Sequence, residues 1–329
     1  MPRSTMWPNP LQEALQLACR APSFHNSQPW QWVLEDDTLE LHLDQHRLVA
    51  SDSSGRQALL SCGAVLDHFR VASAAAGWTV EVERYPNPND QKHLATIAFT
   101  PMAYVTEGHR HRAEAIRRRR TDRLPLDLPA DWDSFEPLLR RTVGETVLVD
   151  VLGADAHPAL CKAAALSESA RLYDSAYHAD LHWWTSPSEP TAGIPHSSLV
   201  SAPESDRVGI GRRFPVTHHR EQRTTIREDE ALVVVLSTYD DTRLDVLGCG
   251  EALSAALLSA TMSGLASCAL SYLTEVPASC EVIQELTGRA LPQLLIRMGT
   301  APTGEQIPPP TPRRPLSEVL TVHPPLATP

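Results

Sequence analysis

CGAVLDHFRVASAAAG, Cys62 to Gly77, is echoed further along the chain by CGEALSAALLSATMSG, Cys249 to Gly264. The cysteine, the first glycine, the leucine at Leu66 and Leu253, and the closing glycine coincide under a single shift of 187 residues, from Gly63 to Gly250 and from Gly77 to Gly264 alike. Each stretch reads as an apolar helix with many small side chains, ended by glycine. A fixed period points to duplication, that is, to two halves built on one plan. Two buried helices with small faces and glycine stops also look alike by chance, and the echo alone leaves both readings open.

Working outward from the first copy, Arg56 to Ala76 forms one helix. Before it, Leu11, Ala14, Leu15 and Ala18 share a helical face over Pro10 to Cys19, and Ala21-Pro22 stops that helix. WQWVLE and the alternating TLELHLD, parted by Asp36-Asp37, read as a hairpin, and WTVEVERY and HLATIAF as two further strands. The charged run GHRHRAEAIRRRRTDRLPLDLP from Gly108 reads as a boundary. Beyond it lie a strand in ETVLVDVLG, a helix from His157 through about His182, and an irregular segment from Thr185 to about Glu228. A strand in ALVVVLST, the helix from Gly250 to Met262, and strands in ASCALSYL and PQLLIRMGT follow. The class is α+β. A structureless connection of this length is uncommon, so Pro187 to Arg227 is a candidate lid.

The 329 residues suit two domains or one large pseudo-symmetric one. With 42% hydrophobic residues and no long uncharged apolar run, neither a membrane span nor a disordered chain is expected. Six scattered cysteines without a C-x-x-C pair suit a reducing cytoplasm, free thiols and no structural zinc. The net charge of -11 argues against nucleic-acid and anionic-membrane partners. A basic cluster in such a chain calls for a local anion.

Two such clusters occur. IRRRRTDRLP, Ile116 to Pro125, offers guanidinium forks, a hydroxyl and, on the expectation of a nearby helix N-terminus, free backbone N–H groups, a set that suits a phosphate; a solvated basic face is the plain alternative. TPRRPLSEVL, Thr311 to Leu320, stiffened by prolines, would deliver Arg313 or Arg314 to a fixed place. APSFHNSQPW, Ala21 to Trp30, adds serine, histidine, asparagine and glutamine groups on a tight loop suited to orienting a flat heteroaromatic ring. Other patterns carry less. His178 and His182 have helical metal-pair spacing but no third ligand, His218 and His219 read as exposed, GIGRR at Gly209 lacks the frame of a dinucleotide loop, and Trp183 and Trp184 read as packing.

RRTDR (Arg119 to Arg123), APSFHNSQPW and PRRPLSEVL together resemble the three flavin-contacting signatures of the FMN-dependent nitroreductase superfamily, and in particular its mycobacterial Acg-like branch. The resemblance implies a nitroreductase-like fold in two tandem halves, 1–110 and 111–329, forming an intramolecular pseudo-dimer that acts as a monomer. One FMN site would be assembled across the halves. By motif position, Arg119, Arg120, Thr121, Arg123 and Arg313 would hold the phosphate and ribityl chain, and Pro22, Ser23, His25, Asn26 and Gln28 would line the isoalloxazine. Phe24 and His25 replace the small residues usual after Pro-Ser, and Thr311 replaces a lysine. The implied activity is ping-pong reduction of a nitroaromatic or quinone by NAD(P)H, with no protein acid required. The alternative is an FMN-sequestering protein whose lid occludes the site.

Overall fold

The computed structural model describes residues 9–35, 37–186, 191–215, 220–305 and 308–323. Residues 30–101 build one sheet around two hairpins. β1 (Trp30–Glu35) pairs antiparallel with β2 (Thr38–Leu43), β2 with β4 (His93–Pro101), and β4 with β3 (Trp78–Arg84). The alternation of Leu39, Leu41 and Leu43 lays one face of β2 on the core. Beside β1, and parallel to it, runs β9 (Leu320–Val322), which completes the order β3-β4-β2-β1-β9. A second sheet, β5-β6-β8-β7, uses Leu148–Leu152, Leu232–Ser237, Pro292–Gly299 and Ala266–Leu270, all antiparallel. β8 is buried on both faces, its buried Arg297 paired with Asp229 and its buried Gln293 bonded to Thr238.

Between the sheets lie α2 (Arg56–Ala75) and α8 (Arg243–Met262), with α1 (Asn9–Ala18), α3 (Glu107–Arg118) and α4 (Trp132–Val143) around them. The two echoed segments are the two central helices, and they cross at their first glycines. A Cβ on Gly63 would overlap the Leu247 carbonyl oxygen and lie 2.8 Å from Gly250 Cα; a Cβ on Gly250 would overlap the Leu60 carbonyl oxygen. The contact is reciprocal, because the 187-residue shift carries Leu60 onto Leu247 as it carries Gly63 onto Gly250. Only glycine lets two helix backbones approach this closely. One core extends from Leu11 through both helices to Val319, and a smaller one lies on the other face of the second sheet under α5 (His157–Arg171) and α9 (Pro277–Thr287). α8 has the length and apolarity of a membrane span, yet most of it is buried in that core.

Several expectations shift. The helix expected from His157 to His182 is two, because Asp174 caps a fresh start at α6 (Ser175–Trp184) by accepting from Tyr177 N at 2.9 Å. α8 begins at Arg243, seven residues ahead of its expected start, where Thr242 and Asp245 form a capping box. The boundary expected between residues 110 and 111 falls inside α3. The segment read as irregular after Thr185 contains α7 (Ala202–Val208) with its own capping box at Ser201 and Glu204. His218 and His219 lie outside the described residues.

Candidate functional site

The loop after α1 is held in an unusual backbone shape. His25, Asn26 and Gln28 have φ of 51°, 59° and 55°, which side chains other than glycine seldom adopt. Hydrogen bonds from every side fix it: Phe24 N donates to Ser61 Oγ of α2 at 3.1 Å, and Gln28 N to Ser23 Oγ at 3.0 Å. Asn26 Nδ2 donates to the Pro312 carbonyl at 3.2 Å, and Arg314 N to Gln28 Oε1 at 2.8 Å. Arg313 closes the joint by donating from Nη2 to the carbonyls of Arg20 and Ala21 at 3.1 and 3.3 Å. The proline-flanked strap 312–315 is thus docked onto the loop some 290 residues earlier.

RRTDR arrives from the other side. Arg119 is the C-cap of α3, so the cluster stands at a helix C-terminus, contrary to the expected N-terminus. The partial charge there is negative, which favours the arginines but offers no backbone donors to an anion. Any anion must be held by side chains and by the turn that follows. That turn is anchored from behind: Thr121 bridges to Ser267, Asp122 N donates to the Ser267 carbonyl, and the Asp122 carboxylate pairs at 2.8 Å with Arg223, which also pairs with Glu305.

These pieces wall a cavity of about 420 Å³. Pro22, Ser23, His25, Asn26, Arg119, Arg120, Thr121, Arg123 and Arg313 all line it, together with Arg20. Gln28 does not: it is fully buried behind the loop, its amide bonded to the Thr191 and Asn26 carbonyls and to Arg314 N. A smaller cavity of about 150 Å³ continues from the first, sharing Pro22, Ser23, His25, Thr121 and Arg123, and reaches Gln57 and Leu60 of α2 and Leu253 of α8.

The electrostatics are those of an unfinished cation cluster. Arg119 is buried, its guanidinium makes no hydrogen bond or ion pair among the described residues, and it is pushed down to about 10 by burial and by Arg20. Arg313 is pushed down to about 9 by burial, by Arg119 and by Arg20. Buried Nε or Nη atoms of Arg119, Arg120 and Arg313, and Oδ1 of Asn26, have no partner among the described residues. His25 is held well below the usual histidine range by burial and by Arg212, Arg123 and Arg171, so its ring is neutral near pH 7.

The roof comes from the candidate lid. Ile194, Val200, Arg212 and Phe214 line the smaller cavity, and Arg123 sits 5.2 Å over the Phe214 ring. The Arg212 guanidinium lies 5.2 Å over both Phe24 and Tyr272, pairs with Glu275 at 2.8 Å and donates to Tyr177 Oη. Arg171 pairs with the same Glu275 at 2.6 Å. Sequence reading did not find Arg20, Arg212 or Phe214: Arg212 lies in the GIGRR run that was weighed only as a dinucleotide loop, and Arg20 and Phe214 carry no motif of their own. Trp184 packs with Val49, Ala192 and Phe24 below this roof, while the His178 ring lies 3.2 Å from the Leu172 carbonyl and edge-on to Tyr177.

No family model matches the chain. Among curated proteins, one from Mycobacterium tuberculosis H37Rv that carries the provisional name NAD(P)H nitroreductase acg is 57% identical over 98% of both chains. The uncharacterized protein Rv3127 of that strain is 49% identical over 95% of this chain and 93% of its own length. A third, provisionally named NAD(P)H nitroreductase Rv3131, is 35% identical over 94% of this chain and 90% of its own. Among solved structures, the FMN-dependent nitroreductase NfnB from Mycobacterium smegmatis in complex with NADPH overlaps with a TM-score of 0.39, at 16% identity, covering 64% of this chain and 97% of that one.

Proposed function

From the premise that this chain belongs to the mycobacterial Acg-like branch of the nitroreductase superfamily, we propose that it binds one FMN in the arginine-lined cavity. In this reading it is an NAD(P)H-dependent flavin oxidoreductase whose acceptor is a small nitroaromatic or quinone. The observation that carries the reading is convergence: three segments centred near residues 25, 121 and 313 wall a single cavity.

The residues present fit the group. Buried arginines without counter-ions fit a phosphate near charge -2, which would relieve the repulsion that lowers Arg119 and Arg313. In this assignment Arg119, Arg120, Arg123, Arg313 and Thr121 hold the phosphate and ribityl chain. Pro22, Ser23, His25 and Asn26 face the ring, with Asn26 Oδ1 free to accept from it. Gln28 positions the loop from behind. Bound FMN would supply the hydride and electron transfer; the protein orients it, excludes water with the roof, and offers a neutral His25 at the ring.

We read the chain as an intramolecular pseudo-dimer of halves 1–110 and 111–329, joined through α3, and as a monomer in solution. The reciprocal glycine crossing and β9, a late strand completing the early sheet, support this. A stable dimer that persists on dilution in light scattering would refute the monomer.

A second reading, sequestration of FMN without turnover, is favoured by one observation. The Arg212 roof is latched to Glu275 and Tyr177 and lies over Phe24, where a nicotinamide would need to enter. One experiment separates the two. The visible spectrum of purified protein is recorded, and NADPH or NADH is added without oxygen. Bleaching of the flavin band establishes the oxidoreductase, bleaching by dithionite alone establishes sequestration, and the lack of a flavin band on reconstitution with FMN overturns both.

A further inference from the structure

A separate cavity of about 700 Å³ shares no lining residue with the arginine cavity or its continuation. The shift that carries Gly63 onto Gly250 also carries Gln57 and Ser61, which line the ring-side cavity, onto Leu244 and Gly248, which line this one. It therefore occupies the counterpart position across the α2–α8 crossing. Its lining differs in chemistry. No phenylalanine, tyrosine or tryptophan borders it; His109 is the one ring on its lining, and Asp245 adds a third carboxylate there. Its apolar wall is Val71, Ala74, Val143, Val147, Ala252 and Ala255.

At the polar side, three arginines stand over two buried carboxylates. Arg84 is fully engaged, with Nε and Nη2 on Glu251 at 2.6 and 2.7 Å. Asp67 accepts from Ser254 Oγ at 2.6 Å. Arg70 reaches these carboxylates only at 3.5 and 3.8 Å, and the half-buried Arg112 guanidinium makes no direct hydrogen bond or ion pair among the described residues, although its charge acts on the Asp67 carboxyl. Two loosely held guanidinium groups therefore face the cavity. Glu251 and Asp67 beneath them repel a multiply charged anion and tolerate a singly charged one.

We propose that this cavity binds a small organic monocarboxylate with an aliphatic body, its carboxylate on Arg112 and Arg70 and its chain on the Val71, Val143 and Ala252 wall. The counterpart position rests on the two-half reading above, but the ligand chemistry rests on the lining alone. A guanidinium fork matches a carboxylate in two parallel hydrogen bonds, and small aliphatic side chains leave room for a flexible chain without a shape of their own to impose.

The test is calorimetric titration of the FMN-reconstituted protein with sodium octanoate at low salt, with 1-octanol as the uncharged analogue. One octanoate per chain is expected, with 1-octanol at least about tenfold weaker, and Arg112→Ala is expected to weaken octanoate by about tenfold or more. Ala74→Leu, which fills the wall and leaves the arginines in place, is expected to weaken both ligands. Arg119→Met, read by loss of flavin absorbance, is expected to leave octanoate binding intact, so a failed FMN assignment would not mask this result. No saturable octanoate binding, equal affinity for 1-octanol, or an Arg112→Ala protein that binds as the parent does would each overturn the proposal.

Discussion

Arg119→Met should act with opposite signs on the empty and the FMN-loaded protein. In the empty protein the Arg119 guanidinium is a buried cation without hydrogen bond or counter-ion among the described residues, and burial and Arg20 push it down to about 10 from 12.5 for a free arginine. Both folded and unfolded forms are protonated at pH 7, so the whole of that difference destabilises the fold there. The depressed folded value means the penalty fades only as pH rises above about 10. At about 1.4 kcal/mol per unit, the penalty is on the order of 3 kcal/mol. Methionine fills much of the same space without charge, so the apo variant should gain up to about that amount, a rise of about 4 °C in midpoint for a chain of this size. Loss of one charged hydrogen bond to phosphate should at the same time weaken FMN by roughly 10- to 150-fold, or about 1.5–3 kcal/mol. Calorimetric melts of apo and reconstituted protein, with FMN titrations followed by flavin fluorescence, read both. An apo variant less stable than the parent, or one with parental FMN affinity, refutes the reasoning.

Gly63→Ala should cost at least about 3 kcal/mol in urea unfolding, since the added methyl meets backbone rather than a movable side chain; a cost below about 1 kcal/mol would show that the helices separate freely. His25 and His68 are buried and held well below 6.5, so the unfolded chain binds protons that the folded one refuses, and stability should fall as pH drops below about 6.5, by up to about 1.4 kcal/mol per pH unit for each. Replacing His68 with glutamine should remove its share of that slope, measured by urea titrations between pH 7 and pH 5. Arg212→Ala removes the Glu275 and Tyr177 contacts and the cover over Phe24, so iodide quenching of flavin emission should increase. Unchanged quenching would mean that the roof does not control access.

The elements legible in the sequence were those whose signal is local. Leu39, Leu41 and Leu43 alternate, and β2 forms there; Gly77 ends α2, with φ of 88°. The two central helices were recognisable from their shared glycines, and the reciprocal crossing gives those glycines a physical task. What escaped was set by tertiary partners. Asp174 could have been read as an N-cap, but the apolar and aromatic run on either side obscured the break between α5 and α6. At the site, RRTDR, the loop and the strap were visible as motifs, and the structure brings them to one cavity. The helix end at Arg119 was read with the wrong polarity, because the arginines were read as part of an anion site, whereas a run of cations is itself the signal of a helix C-terminus. Gln28 and Arg314 show the other limit: a polar side chain in a motif can face a ligand or tie the backbone, and only the fold distinguishes the two.

β9 also sets an order of assembly. β1 is synthesised nearly 290 residues before Leu320, the first residue of the strand that flanks it. At roughly 5–20 residues per second, the early sheet, complete once β4 is made, waits on the order of 10–45 s with that edge unpaired. The strap that supplies Arg313 precedes the same strand by one short helical turn, Leu316–Val319, so the cation cluster is completed only as that edge is about to be covered. Until then Asn26 lacks its Pro312 partner, and the strained loop has less to hold it. A nascent chain stalled before residue 312 would hold the loop and the RRTDR turn without the strap that closes the arginine-lined cavity.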